Sequence, residues 1–431
     1  MRIAIAGYGA EGESNYRYWN RPENQVVIID ERQPTRPVPV DASVIVGEDA
    51  FNKLEAYDMV IRSPGIAPHK IKTDGKIWSA TNEFVTKCPA TIIGVTGSKG
   101  KGTTCSLIAS ILRTAGKTVH LVGNIGVPSL DVLNDIQADD IVVYELSSFQ
   151  LWDIEKSPHV AVVLMIEPDH LDVHANFKEY IEAKGNIARH QTSDDTVVYN
   201  GANEHATAIS HVSKGARVAF QASEAAHVAK GYFWYGAQKL CSVDALRIAG
   251  AHNEDNACAA INAIWNYVQN PEVIAAGLES FTGLPHRLKF VRELNGISYF
   301  DDSIATTPGS AIAAIKAFTQ PKVLILGGSD KGSHYDELVE TIGECESIRK
   351  IITIGDQGPI ITQLLQEKNH ANIVHVETAK HMTAIVATAT SFAQPGDVVI
   401  LSPACASFDM FKSYSDRGDQ FIDAVNNLQE S

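Results

Sequence analysis

Lys101 stands where a phosphate could be held. The stretch Thr91 to Thr104 reads TIIGVTGSKGKGTT, an apolar run (Ile92, Ile93, Val95) that ends in Gly97, Ser98, Lys99, Gly100, Lys101, Gly102, Thr103 and Thr104. An apolar, helix-compatible segment follows from Cys105 to Leu112. A strand, a glycine-rich turn and a helix start aim backbone N–H groups and a positive dipole end at phosphate oxygens, and a lysine can reach the terminal phosphates. The strict pattern has glycine where Val95 stands and a hydroxyl residue where Gly102 stands. A plain turn needs one glycine, not three and a lysine, so the stretch is read as a nucleotide phosphate loop.

Three further stretches carry chemistry. Ile141 to Tyr144 reads as a strand ending in Glu145. An acid at the end of a strand parallel to the phosphate-loop strand is where a Mg²⁺-binding carboxylate belongs. Val160 to Ile166, also read as a strand, runs into Glu167-Pro168-Asp169-His170-Leu171-Asp172-Val173-His174, five ionisable groups in eight residues, room for a second Mg²⁺. Neither a cysteine partner nor an H-E-x-x-H order supports zinc. Ala175 to Gln191 has the helical apolar stripe Phe177, Tyr180, Ile181, Ile187 and Ala188, and Lys184 falls on it. Such a lysine either snorkels to water or is partly desolvated. Desolvation lowers an amine's pKa, and a neutral amine can take up CO₂ as a carbamate, a negative group able to bridge metal ions.

These residues need parallel sheets to position them. At the start, Arg2 to Ala6 reads as a buried strand followed by GYGAEG, which places Gly7, Gly9 and Gly12 in a G-x-G-x-x-G turn. A second run, Val26 to Ile29, ends in Asp30, near the distance of a ribose-binding acid; the alternative is a tight βα turn with Asp30 as a helix cap. Ser43–Val46 and Met59–Ile61 continue the alternation, the latter into Ser63-Pro64-Gly65. Later strands are expected at 117–122, 196–199, 217–220, 232–235, 297–300, 323–326, 351–354, 373–376 and 398–401, and a helix from Gly250 with amide side chains facing a pocket. Glycine and proline at Gly283 and Pro285 mark a boundary. The expected architecture is α/β in three domains: a Rossmann-like N-terminal domain (1–88), a central P-loop-type ATPase domain (89–281) and a Rossmann-like C-terminal domain (282–431).

Composition bounds the class. With 431 residues, 45% hydrophobic and 20% charged, the chain is an ordinary globular one, and about 150 residues per domain gives three domains. A net charge of −15 argues against nucleic acid or an anionic membrane as main partner. Six scattered cysteines without a CxxC pair suit a reducing cytoplasm. No signal peptide or membrane span is read.

The ordered set TGSKGK (96–101), GNIGVP (123–128), ELSSFQL (145–151), DHLD (169–172), Lys184, His252-Asn253 with Asn256, GLPHR (283–287), DDS with AT (301–306), GG with K (327–331) and LSPACASFD (401–409) resembles the Mur ligases. These are ATP-dependent amide ligases of peptidoglycan stem-peptide synthesis. ELSSFQL and LSPACAS resemble the D-glutamate-adding branch. The resemblance covers nearly the whole chain. It implies a monomer that takes UDP-N-acetylmuramoyl-L-alanine, D-glutamate, ATP and two Mg²⁺. It implies UDP binding by Gly9, Ala10, Glu11, Gly12, Glu31, Arg32, Ser63 and Gly65, with Asn124 and His170 reaching toward the same substrate. ATP would meet Gly97 to Thr104, Asn253, Asn256, Arg287 and Asp302. Lys101, Glu145, His170 and Lys184 would form the catalytic set; Thr103, Glu145, His170 and a carbamylated Lys184 would hold metal. Thr306, Lys331, Ser407, Phe408 and Tyr414 would surround the amino acid.

Gly102 departs from the family's usual hydroxyl residue, leaving Thr103 or water to supply that Mg²⁺ oxygen, and the GKG order is closer to folylpolyglutamate synthases. Lys99 replaces a frequent asparagine. Ile304 stands where a lysine often faces the amino acid's carboxylates. The other readings are a related ligase adding a different amino acid and a non-catalytic nucleotide-binding protein.

Overall fold

Short runs rich in Val and Ile favour strands, and runs apolar throughout suit parallel sheets covered on both faces. The computed structural model describes residues 1–34, 36–124, 127–171, 173–248, 250–330, 333–370 and 374–429. It contains two compact units, Met1–Phe281 and Thr282–Ser431.

The first unit opens with β1 (Arg2–Ala6), α1 (Ala10–Trp19), β2 (Gln25–Asp30), β3 (Ser43–Val46), β4 (Met59–Arg62), β5 (Lys76–Trp78) and α2 (Ala80–Lys87). Its strands form a parallel sheet in the order β3-β2-β1-β4-β5. Apolar clusters cover both faces, one around Ala4, Phe51 and Leu54, the other around Ile3, Tyr16 and Trp78.

The same unit continues with β6 (Thr91–Thr96), α3 (Lys101–Thr114), β7 (Val119–Gly123), α4 (Ser129–Val132), β8 (Ile141–Glu145), α5 (Ser148–Leu151), β9 (Val160–Val163), α6 (Phe177–Arg189), β10 (Thr196–Asn200), α7 (Glu204–Ser210) and β11 (Ala216–Phe220). The parallel order β11-β10-β9-β6-β8-β7 puts the phosphate-loop strand β6 between β9 and β8. An antiparallel meander follows, β12 (Ala226–Ala229), β13 (Tyr232–Tyr235) and β14 (Gln238–Ser242), then α8 (Ala251–Ile264) and α9 (Pro271–Ser280).

Arg62 ties the two parallel sheets of this unit together. It is fully buried, grips Asp153 with two bonds of 2.7 and 2.8 Å, and donates to the carbonyls of Ile66 and Phe149, each at 2.9 Å. Asp131 adds a second tie, accepting from Ser14 Oγ at 2.7 Å and from Arg17 at 2.8 Å.

The second unit holds β15 (Lys289–Leu294), β16 (Ile297–Asp301), α10 (Pro308–Ala317), β17 (Lys322–Gly327), α11 (Asp336–Glu344), β18 (Ile348–Ile354), α12 (Gly358–Glu367), β19 (Val374–Val376), α13 (Met382–Phe392), β20 (Val398–Leu401) and α14 (Tyr414–Asn426). Its sheet order is β15-β16-β20-β17-β18-β19, with β15 antiparallel to β16 and the other pairs parallel. The architecture is thus α/β in three domains, one per parallel or mostly parallel sheet.

The expected strand 160–166 stops at Val163. Beyond it the backbone serves the phosphate loop: Leu164 N–H donates to Thr96 O at 2.9 Å, and Met165 O accepts from Ser98 N–H at 2.8 Å. The expected helix 175–191 spans Phe177–Arg189, capped by Asn176, whose side chain accepts from Glu179 N–H at 3.0 Å. Residues 232–235 belong to the meander, not to the parallel sheet. Ile373, the first residue of an expected strand, lies outside the described residues. Among the described residues no helix is long and apolar enough to cross a membrane.

Candidate active site

β6 ends at Thr96, and Gly100, with φ of +84°, turns the chain into α3. The loop is hemmed in so closely that side chains have no room. A Cβ on Gly97 would come within 2.7 Å of Leu164, and one on Gly100 within 2.5 Å of Asn256 Oδ1. Asn256 anchors the loop to α8: its Oδ1 accepts from Thr104 Oγ1 at 3.2 Å and its Nδ2 donates to Asn253 at 3.1 Å. The amides expected to face a pocket therefore meet the phosphate loop.

Two lysines converge on one carbonyl. Lys101 Nζ donates to Gly97 O at 2.9 Å and to Ser98 O at 3.1 Å. Lys184, on α6 and only 1% exposed, donates to the same Gly97 O at 2.8 Å and to Thr96 Oγ1 at 3.3 Å. Burial, reinforced by the charge of Lys101, holds Lys184 well below the ordinary lysine range, against the opposing pull of Asp169 and Glu145. Lys184 thus lies buried, not snorkelling, and its surroundings disfavour the charged form. Glu145 is buried at the end of β8, the neighbour of β6, and its Oε1 accepts from Asn124 Nδ2 at 3.4 Å. Carboxylate and hydroxyl oxygens at such a loop suit Mg²⁺, which prefers oxygen donors.

Several predicted residues do other work. Ser98, in the loop expected to meet ATP, turns its hydroxyl inward. Its hydroxyl lies 2.9 Å from the main chain of Glu167 and 2.9 Å from Tyr180 Oη, and its N–H is given to Met165. Lys99 is exposed and pairs with Glu167 at 3.3 Å. His170, at φ of +53°, is exposed, lies 3.6 Å from Asp169 and packs on the ring of Phe149. His174, unassigned by sequence, is buried; its Nε2 lies 3.0 Å from Ser148 Oγ, and its ring stacks on Phe149. Asp172 lies outside the described residues. Among the described residues no three His, Cys, Asp or Glu side chains converge into a metal cluster, so Glu145 and His170 are not gathered with a third such ligand.

The glycine turn of the first sheet lines a cavity of about 430 Å³ that gathers Gly9, Ala10, Glu11, Gly12, Glu31, Ser63 and Gly65. Arg32 is not among the lining residues; its backbone N–H lies 3.3 Å from Asp30 Oδ1. Asp30 lines this cavity but is not a helix cap. No helix follows it, and its carboxylate accepts from Tyr8 N–H at 2.8 Å, fixing the turn. Asn124 stands beside Glu145 rather than in this cavity.

In the second unit Asp302, expected near ATP, is buried with both oxygens engaged, by Ser402 Oγ at 2.7 Å and Leu288 N–H at 3.1 Å. Burial pushes its carboxyl up to about 7. Arg287 is exposed, Ser407 is buried, Phe408 is 73% exposed and Tyr414 and Thr306 are partly so. Lys331 lies outside the described residues. Sequence reasoning missed two groups here. His286 Nδ1 pairs with buried Asp301 at 2.7 Å. Arg417, fully buried, donates to Ser303 Oγ at 2.9 Å and to the carbonyls of Ser303, Cys405 and Ala406 at 2.8, 3.2 and 3.1 Å, and burial holds it down to about 10. Their signal lay in polar residues of GLPHR and DDS and in Arg417 beyond LSPACAS, which are too far apart in the chain to be paired by spacing.

Comparison with known proteins adds relatives to this geometry. The Mur ligase middle domain matches residues 95–264, and the Mur ligase glutamate ligase domain matches residues 286–405. The chain is 36% identical over 425 residues to the UDP-N-acetylmuramoylalanine–D-glutamate ligase of Ruminiclostridium cellulolyticum, covering 93% of this chain and 89% of that one. With the protein of the same name from Clostridium kluyveri it shares 34% over 446 residues, 99% of this chain and 97% of that one. Its fold is similar to that of UDP-N-acetylmuramate-alanine ligase MurC from Thermotoga maritima, with TM-score 0.60 and 17% identity over 100% of both chains. Folylpolyglutamate synthase from Mycobacterium tuberculosis, solved with ADP, matches at TM-score 0.59 and 14% identity over 82% of this chain and 94% of that one. With the two domain matches and full-length relatives above 30% identity alongside this loop geometry, the chain belongs to the Mur ligase family.

Proposed function

We propose that the chain is an ATP-dependent ligase that joins D-glutamate to UDP-N-acetylmuramoyl-L-alanine in peptidoglycan precursor synthesis, as a monomer in the cytoplasm. The observation that carries the chemistry is the pair of lysines on the Gly97 carbonyl, one at the phosphate loop and one buried and depressed in pKa. The printed names of its full-length relatives carry the substrates.

In this reading residues 1–88 hold the UDP-sugar, 89–281 hold ATP, and 282–431 bring D-glutamate through Thr306, Lys331, Ser407, Phe408 and Tyr414. Asn253, Asn256, Arg287 and Asp302 complete the ATP surroundings. Thr103, Glu145, His170 and a carbamylated Lys184 would hold Mg²⁺, which when bound spreads the charge of the transferring phosphoryl group. The alanine carboxylate attacks the γ-phosphate, ADP leaves, and an acyl phosphate remains. The amine of D-glutamate then attacks the acyl carbon, phosphate leaves, and the amine's proton passes to His170 or a nearby carboxylate. Lys101 stabilises charge on the transferring group, and the loop's backbone N–H groups orient it. Delivering the amine of an amino acid held by residues 282–431 to the acyl phosphate is the step for which we propose closure of that domain during turnover.

Phosphate release from ATP with UDP-N-acetylmuramoyl-L-alanine and D-Glu, L-Glu, D-Asp, meso-diaminopimelate or L-Lys tests the proposal. Release is expected with D-Glu alone. Release with another amino acid would rename the added residue and point to Ile304; silence with all five would sink the substrate assignment.

A further inference from the structure

The glycine turn of the first sheet carries a negative charge where an anion must dock. Glu11 is the second residue of α1, and a helix N-terminus attracts phosphate. Yet Glu11, Asp30 and Glu31 all line the cavity there, and no lysine or arginine does among the described lining residues. Asp30 is neutralised in part by the N–H groups of Tyr8 and Arg32.

Glu11 has no such support. Its Oε2 meets Gln150 Nε2 at a long 3.4 Å, and its Oε1 is shut off from water with no hydrogen-bond partner. The groups that face it are Gln150 on α5, Asp153 just after α5, Arg62 at the end of β4 and Tyr144 on β8. Tyr144 is neutral, its hydroxyl 3.0 Å from Ser129 Oγ. The charge of Arg62 is already matched by Asp153 through bonds of 2.7 and 2.8 Å, so Glu11 faces a pair with no net charge. A half-buried carboxyl with one weak donor favours its neutral form, and burial pushes Glu11 up to about 7. A diphosphate arriving at the same turn adds negative charge and favours that form further.

We propose that docking of the diphosphate-bearing substrate on the glycine turn is coupled to the uptake of one proton by Glu11. The step is an ionisation only: a proton from solvent joins the carboxylate as the ligand binds, and no other bond is made or broken. The inference rests on reading this cavity as the UDP site. Its consequence is that Kd and KM for the UDP-sugar climb above about pH 7, by up to about tenfold per pH unit, while kcat does not follow. Glu11→Gln keeps the shape without the charge and flattens that slope.

Calorimetric titration of the full chain with UDP-N-acetylmuramoyl-L-alanine, at about pH 8 in two buffers of different ionisation enthalpy, counts the protons taken up. The ligand's diphosphate is a diester without a titration in this range, so the count reports the protein. Uptake approaching one proton in the native chain, and none in Glu11→Gln, is the expected result. Binding with no buffer dependence in the native chain, or equal uptake in the variant, overturns the coupling while leaving the substrate reading intact. No binding at about pH 6, with ADP binding preserved, overturns the substrate reading and the coupling with it.

Discussion

Lys184 concentrates the catalytic argument in one side chain. It is buried beside Lys101 on a shared carbonyl, and burial lowers its pKa toward the neutral amine that a carbamate requires. Lys184→Met, which keeps the volume, is expected to cut turnover by on the order of 10²–10³-fold or more without added bicarbonate restoring it. A carbamate carbon resonance after ¹³C-bicarbonate exchange should appear in the native chain and vanish in the variant; unchanged turnover would refute the carbamate. Asp302 makes a prediction about pH. Its carboxyl is raised from 3.8 to about 7 on folding, so between those values the folded chain holds a proton that the unfolded chain has lost. The folded state is therefore favoured at the acid end of the window and loses that advantage as pH rises through it. Urea midpoints at about pH 5 and about pH 8 should reveal a loss on the order of 1–3 kcal/mol from this group, and Asp302→Asn should shrink it. A pH dependence identical in the variant would remove Asp302 as its source.

At the scale of elements, close approach decides which glycines matter. α9 lies against α3 so tightly that a Cβ on Gly277 would meet Ile111 Cα at 2.6 Å, and Ser110 Oγ donates to Gly277 O at 2.7 Å. Gly277→Ala is expected to destabilise the chain by about 1–3 kcal/mol through overpacking, measurable as a lowered urea midpoint. A midpoint at or above the native one would show that the helices separate at no cost. The same scale separates what the sequence makes legible from what it hides. The phosphate loop was readable because strand, glycines, Lys101 and helix lie within one stretch, and Lys184 because helical period alone puts it on the apolar stripe. β5, α2 and the antiparallel edge strand β15 were not picked out, since short runs with charged residues such as Lys76 or Arg292 carry little periodic signal. The inward turn of the Ser98 hydroxyl was not legible because residue type in a loop does not say which way a side chain turns, and its partners Glu167 and Tyr180 come from far along the chain. His286 with Asp301 and Arg417 with Ser303 escaped for the same reason: topology, not spacing, brings them together.

Over the whole molecule, each unit has its own apolar core on both sides of its sheets. Heating should give two calorimetric transitions, and ADP at about a hundred times its Kd should add about 2.7 kcal/mol to the unit that carries Lys101. An ADP effect confined to the other unit would contradict the assignment of the nucleotide loop. The first sheet, by contrast, does not stand apart from the second. Arg62 leaves the end of β4, grips Asp153 and caps the carbonyl of Phe149, while also holding the Ile66 carbonyl beside the turn at Ser63. For anyone shuffling parts between relatives, residues 1–88 are therefore not a cassette. A chimera cut at 88 whose new first sheet lacks this arginine would leave the half-buried Asp153 without its partner; an exchange that carries residues 149–153 along with the first sheet keeps the clasp in one piece.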